Sequence, residues 1–391
     1  MKQELLDKLL TSFENQFGDR EGVRLAFAPG RVNLIGEHTD YNGGFVMPMG
    51  LDRRLYVLFR PASGSTCRFW SQNYEEWDEF SLGNLQKNEE KGWVNYIRGA
   101  AWALQDAGHE LQPIEGLVYG DVPIGAGLSS SAAMEVSNAL AFCSVADTDI
   151  DLKDLALLCQ RAENKFVGVN CGIMDQFVSV HAAEDHAVML DCRSLEHEMV
   201  PLDTSEVKVV VCNTMVDHEL GNSAYNQRRA KCEEAARILN EKVGNVEQLR
   251  DVTSEMLEAN ADALDDVTYR RARHVVTEDE RVEKALKSLN SGDYAEFGRL
   301  MNASHDSLKD DYEVTCKELD LMVELARKQK GCMGARMTGA GFGGCTVNLV
   351  DADAADDFMA AMAAGYAEET EMDPDIFEFN AAEGASIQDV L

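Results

Sequence analysis

Apolar side chains recur at helical spacing from the start of the chain. Leu6, Leu9 or Leu10, Phe13 and Phe17 share one face of a charged segment, which predicts an amphipathic surface helix and not a cleaved leader. Strand-like and helix-like runs then alternate. Residues 24–28 and 55–60 read as strands and 93–107 as a helix. Residues 116–122 read as a strand entering a glycine-rich turn, with helices over about 128–144 and 152–167 behind it. The four valines of 207–212 mark a buried strand, and 223–239 a charged helix. Segment 251–266 holds six carboxylates and no base, which suits a helical flap or a solvated linker. Helices fit 278–289, 294–304 and 315–330. A strand (335–337), a glycine loop (338–344), a strand (345–350), a helix (354–364) and a strand at 376–379 complete the chain. No internal repeat interrupts this order. It predicts an α+β fold in two domains, 1–195 and 196–391, divided near 192–206, with the final residues packing back on the first.

The length of 391 residues suits two domains, and 45% hydrophobic residues suits a globular protein. Charge narrows the partners. Thirty-six basic against 69 acidic residues leave a net −33, which repels phosphate backbones and anionic lipid and argues against nucleic acid and membrane surfaces. It also opposes non-specific self-association, so a monomer or weak homo-oligomer is expected. A solvated acidic face accounts for the excess; adaptation to elevated salt is the sharper alternative. The ten cysteines are scattered without a C-x-x-C pair or zinc-ligand spacing, and most lie in apolar runs. They read as buried thiols of a reducing cytoplasm. No stretch approaches the ~18 uncharged apolar residues of a membrane span.

Four segments carry chemistry. In Pro123-Ile124-Gly125-Ala126-Gly127-Leu128-Ser129-Ser130-Ser131-Ala132-Ala133, two glycines turn the backbone directly into a helix. The unpaired N–H groups of a helix start favour phosphate, and three successive hydroxyls can cap the helix, donate to phosphate oxygens or ligate Mg²⁺. No lysine follows the glycines, so this is not a Walker A loop; an ordinary capped turn is the plain alternative. In Gly30-Arg31-Val32-Asn33-Leu34-Ile35-Gly36-Glu37-His38-Thr39-Asp40-Tyr41-Asn42-Gly43-Gly44, carboxylates and an imidazole crowd between a strand and a glycine turn. Such a set can serve the several hydroxyls of one sugar. A metal site at Glu37, His38 and Asp40 is the rival, ranked lower for want of a partner cluster. In Asn170-Cys171-Gly172-Ile173-Met174-Asp175-Gln176-Phe177, Asp175 sits among apolar residues, where a carboxylate needs a cationic partner, a capping role or a chemical one. Finally, Thr338-Gly339-Ala340-Gly341-Phe342-Gly343-Gly344 lets backbone approach a ligand closely. A strand follows it, which excludes a dinucleotide fingerprint.

Together and in this order, these segments resemble the small-molecule kinase family that takes in galactose, homoserine, mevalonate and phosphomevalonate kinases. Segment 30–44 is similar to the signature of its galactose-phosphorylating branch, 123–133 to the phosphate loop and 338–344 to the C-terminal glycine motif. The stretches 171–177, 225–229 and 271–278 add support, and the likeness runs from about Phe13 to Phe377. It implies two lobes with the active site in the cleft between them. The N-terminal lobe would be a mixed sheet with helices, and the C-terminal lobe antiparallel sheet layers with helices. It implies transfer of the γ-phosphoryl of ATP, with Mg²⁺, to the anomeric hydroxyl of α-D-galactose.

By this likeness Asp175 would be the catalytic carboxylate and Arg31 its transition-state partner. Glu37, His38, Thr39, Asp40, Gly172 and Tyr225 would bind the sugar. Gly125, Ala126, Gly127, Leu128, Ser129, Ser130 and Ser131 would wrap the phosphates, Ser131 and Glu163 would hold Mg²⁺, and Ser71 and Trp93 would meet the nucleoside. Asp217 stands where many members of that branch carry a basic residue. Non-catalytic galactose and ATP sensors of the family lack the Ser-Ala pair present here as Ser131-Ala132; kinases for N-acetylgalactosamine or L-arabinose remain alternatives. The chemistry agrees: a carboxylate that takes the proton of a sugar hydroxyl helps it attack phosphorus, and an adjacent arginine offsets the burial of that carboxylate.

Overall fold

The computed structural model describes residues 3–123, 126–216 and 221–390. Gly125 and Asp217 lie outside them. The chain opens with α1 (Gln3–Phe17), β1 (Arg24–Asn33), β2 (Phe45–Val46), β3 (Pro48–Pro61), β4 (Thr66–Ser71), β5 (Glu76–Ser81), α2 (Val94–Asp106) and β6 (Ile114–Gly120). Three helices follow, α3 (Ser130–Val145), α4 (Leu152–Arg161) and α5 (Met174–His181), then strands β7 (His186–Asp191), β8 (His197–Pro201) and β9 (Val207–Asn213). A helical stretch comprises α6 (Gly221–Val243), α7 (Ser254–Ala259), α8 (Asp266–Asn290), α9 (Tyr294–Ser307) and α10 (Lys317–Lys328). The chain closes with β10 (Cys332–Thr338), β11 (Cys345–Asp351), α11 (Ala355–Thr370), β12 (Asp375–Phe379) and β13 (Ser386–Asp389).

Three sheets organise these elements. The largest has the order β13-β1-β3-β6-β4-β5, with β4 and β6 parallel and its other pairs antiparallel. One face carries α1 through Leu9, Leu10 and Phe13, as the N-terminal periodicity predicts. The opposite face packs on the helices α2 to α5 through residues such as Phe59, Phe69, Phe142 and Phe177. The second sheet, β10-β11-β9-β12, is antiparallel throughout. In β9, Val207, Val209 and Val211 enter one core and Val210 and Cys212 another, so a strand covered on both faces reads as a continuous apolar run. A small sheet, β2-β7-β8, lies beside them.

Several elements differ from the sequence reading. The helix expected from 278 begins twelve residues earlier, at Asp266. The flap segment contains α7 flanked by short 3₁₀ turns. The helix read through 167 widens after Arg161 into a π turn, Ala162–Val167. Among the described residues no helix is long and apolar enough to cross a membrane.

Candidate active site

Arg31 owes its direction to a break in β1. The pairing with β3 shifts between Pro29 and Arg31, an irregularity that re-aims a side chain. Gly30 sits at the break, where a Cβ would come within 2.7 Å of the Leu128 carbonyl. The backbone N–H of Arg31 donates to that carbonyl, and Arg31 Nη1 donates to the Gly127 carbonyl at 2.7 Å. The remaining edge of the guanidinium meets Asp175 in a two-pronged pair, with Nε to Oδ1 at 2.7 Å and Nη2 to Oδ2 at 2.6 Å. This geometry is the strongest that arginine and a carboxylate form. Residues 144 positions apart are thus joined in the first turn of α5. The Asp175 side chain retains 22% of its surface, against 8% for Arg31, and opens into a cavity. Ser129, in a left-handed conformation before α3, donates its hydroxyl to Asp175 Oδ2 and makes no side-chain cap on the helix.

That cavity measures about 340 Å³ and gathers Arg31, Glu37, His38, Asp40, Glu163, Gly172, Asp175 and Tyr225. Glu37 is buried; its Oε1 accepts from the Gly339 N–H (2.7 Å), the Thr338 hydroxyl (3.0 Å) and Arg336 Nη1 (3.4 Å). The late glycine loop therefore holds a carboxylate of the 30–44 loop through its backbone. His38 adopts a left-handed conformation, and its Nδ1 meets the Tyr41 hydroxyl at 2.8 Å. Burial, reinforced by the nearby His274, lowers its pKa to about 3, so the ring is neutral at physiological pH. Its Nε2 is buried without a partner among the described residues. Asp40 is pushed up to about 7, first by burial and then by the charge of Asp175. Gly172 leaves it room, since a Cβ there would fall 1.7 Å from Asp40 Oδ2. Burial, with Asp40 nearby, holds the Tyr225 hydroxyl well above its usual range, leaving it a hydrogen-bond donor.

A second cavity of about 230 Å³ adjoins the start of α3 and is lined by Ser71, Trp93, Ser130 and Ser131 among others. Tyr74 and Trp93, both lining it, stack on each other with centroids 6.3 Å apart and ring planes 18° from parallel, an apolar platform suited to a flat base. Ser71 accepts a hydrogen bond from the Tyr74 N–H and steadies that platform. Ser131 lies near enough to Glu163, which lines the first cavity, to lower its pKa, so this pair marks where the two cavities approach. The π turn carries Glu163 there. Burial and the neighbouring Asp175 charge raise Glu163 to about 7. A hydroxyl and a carboxylate in a surplus of negative charge are oxygen donors that fit Mg²⁺. Among the described residues no three His, Cys, Asp or Glu side chains cluster to hold a metal by themselves. A cation here would take its other oxygens from phosphate.

Not every residue singled out in the sequence faces a cavity. The Thr39 hydroxyl is fully buried and donates to the Gly36 and Phe45 carbonyls, so it shapes the loop and does not line the pocket. Ala126 and Leu128 turn their side chains into the core between the sheets. Tyr41, Asn226, Cys171 and Ala340 line the first cavity without having been singled out as ligands.

Comparison with known proteins accords with this arrangement. Residues 11–61 match the galactokinase galactose-binding signature, 95–183 the GHMP kinases N terminal domain and 285–368 the GHMP kinases C terminal domain. A galactokinase of Chloroflexus aurantiacus is 48% identical over 93% of this chain and 92% of its own length. The chain belongs to the galactokinase family. A galactokinase of Fusobacterium nucleatum is 42% identical over 97% of this chain and 99% of its own length. The crystal structure of Lactococcus lactis galactokinase complexed with galactose superposes with a TM-score of 0.94 at 38% identity, covering 98% of this chain and 99% of that one. A mevalonate kinase structure at 17% identity, with a TM-score of 0.64 over 91% of this chain and 98% of its own, shares the fold. The two-lobed small-molecule kinase fold expected from the sequence is therefore present.

Proposed function

We propose that this chain transfers the γ-phosphoryl of ATP to the anomeric hydroxyl of α-D-galactose, giving galactose 1-phosphate. One observation carries the reading: a carboxylate-rich cavity floored by the Arg31–Asp175 pair approaches an aromatic-walled cavity at Ser131 and Glu163. In this reading galactose lies between the 1–195 and 196–391 lobes. Glu37 and Asp40 accept from its hydroxyls, while His38 and Tyr225 contribute polar contacts and Gly172 clears the space. ATP sets its base against Trp93 and Tyr74, with its phosphates toward Ser130 and Ser131 at the start of α3, where N–H groups favour negative charge. Asp175 takes the proton of the anomeric hydroxyl as that oxygen bonds to phosphorus and the γ-phosphorus–oxygen bond to ADP breaks. Arg31 offsets the charge that develops beside it. Since such transfers pass through a loose transition state, positioning and charge matter more than strong basicity. Ser131 and Glu163 would hold Mg²⁺ against the phosphates, where the ion supplies charge neutralisation.

A coupled assay of ADP release over galactose, N-acetylgalactosamine, L-arabinose and glucose tests the assignment. The highest kcat/KM is expected with galactose. Galactose binding without turnover would make the protein a sensor, and faster turnover of another sugar would displace galactose as the substrate.

A further inference from the structure

Glu135 is fully buried in α3, and no step above uses it. It follows Ser131 by four residues, so both side chains leave one face of the helix. That face meets Glu163 twice. Ser131 stands near it, close enough to lower its pKa, and Glu135 reaches it through Gln176, whose amide nitrogen donates to Glu163 Oε2 at 2.6 Å and to Glu135 Oε2 at 3.0 Å. Gln176 is itself fully buried and directly follows Asp175 in the first turn of α5. Three separate parts of the chain, α3, the π turn and α5, therefore converge on one amide.

The two hydrogens of that amide point to two carboxyl groups, which fixes its plane. A shift of Glu163 away from this position would break a bond in an interior where an unmade bond is costly. With Oε2 of Glu163 occupied by the amide and approached by Cys171 Sγ at 3.4 Å, Oε1 is left for a cation. Glu135 Oε1 and Gln176 Oε1 have no partner among the described residues, so the arrangement is held from the nitrogen side alone.

We propose that Glu135 and Gln176 are positioning residues, a buried carboxyl–amide strut that aims Glu163 at the cation accompanying ATP. The inference rests on Glu163 being a ligand of that cation, as proposed above. Because Gln176 and Asp175 are consecutive in α5, the strut also keeps the cation site and the proton-accepting carboxylate in one fixed geometry.

Mn²⁺ binding in the presence of ADP, followed by electron paramagnetic resonance beside calorimetric galactose binding, tests the strut. Gln176→Leu is expected to weaken Mn²⁺ by about 10- to 100-fold, as for other losses of a ligand's supporting partner, while galactose affinity is retained. Mn²⁺ affinity equal to that of the wild type, or a parallel loss of galactose affinity, overturns the proposal. Should Gln176→Leu fail to fold, the pair Glu135→Gln and Glu135→Leu decides. The first keeps an oxygen acceptor for the amide and should retain Mn²⁺ affinity; the second should lose it, and equal behaviour of the two overturns the strut. Glu163→Gln separates the cation site from the strut. If it binds Mn²⁺ with ADP as the wild type does, the cation assignment itself fails. If it weakens binding and Gln176→Leu does not, only the strut fails.

Discussion

Replacing Gly172 by alanine perturbs the proposed sugar pocket through a single neighbour. Its φ lies outside the left-handed region, so the backbone accepts an alanine, and the effect comes from space alone. The new methyl would stand 1.7 Å from Asp40 Oδ2, 2.3 Å from its Cγ and 3.1 Å from its Cβ. Ordinary contact begins at 3.4 Å, so the carboxylate must swing away by well over an ångström. A displaced Asp40 forfeits the hydrogen bond proposed for it with galactose, about 1.5–3 kcal/mol where the carboxylate is charged. This corresponds to a rise of roughly 10- to 150-fold in the galactose Kd. Calorimetric titration with galactose measures the change, and a titration with ATP in the same variant should give the wild-type value. The double variant with Asp40→Ala sharpens the test: if the methyl acts only through Asp40, adding it to Asp40→Ala changes nothing further. Wild-type galactose affinity in Gly172→Ala, or additive losses in the double variant, would refute the reasoning.

Two other perturbations follow from the burial of charge around the site. Glu37→Ala removes an acceptor from Arg336, which is wholly inaccessible to solvent and keeps only the Asn33 carbonyl and the Ser304 hydroxyl. Urea unfolding should show a loss of about 3 kcal/mol, with a smaller loss for Glu37→Gln; equal losses would show that the ion pair is not the cause. Asp279, which accepts the Phe45 N–H at 2.8 Å, is raised by burial from its usual 3.8 to about 7. The folded protein then holds a proton there that the unfolded chain releases, so this group's contribution is favourable at low pH and is lost as the pH rises through about 4 to 7. Asp279→Asn should therefore gain stability relative to the wild type across that window and level off above it, as read by unfolding at a series of pH values. A difference that shrinks with rising pH would contradict the assignment.

Much of this architecture is legible in the chain because it obeys simple periodicities. Leu9, Leu10 and Phe13 bury one stripe of α1, and the valines of β9 alternate between two cores. The reading fails where polar groups are buried. The first half of α8 turns Thr268, Arg271 and His274 inward among Ala272, Val275 and Val276, so polar side chains interrupt the apolar stripe that would announce a helix. Glu135 and Gln176 went unnoticed for the same reason: each reads as a surface residue until the fold shows both fully enclosed. In the sequence, the glycine loop at 338–344 speaks for a direct approach of backbone to ligand. In the fold, its Gly339 N–H also grips Glu37, a partner some 300 residues away that no local pattern could supply. Family likeness pairs Arg31 with Asp175, whereas the register break at Gly30 that turns them together is a property of the sheet.

The central claim is that Asp175 accepts the proton of the sugar hydroxyl. Single-turnover phosphoryl transfer by Asp175→Asn, with galactose binding measured on the same sample, tests it most directly. The amide keeps an oxygen for Arg31 but cannot take a proton. Galactose affinity should hold while the transfer rate falls by about 10²- to 10⁴-fold, the usual contribution of a positioned base. A transfer rate equal to that of the wild type would contradict the account.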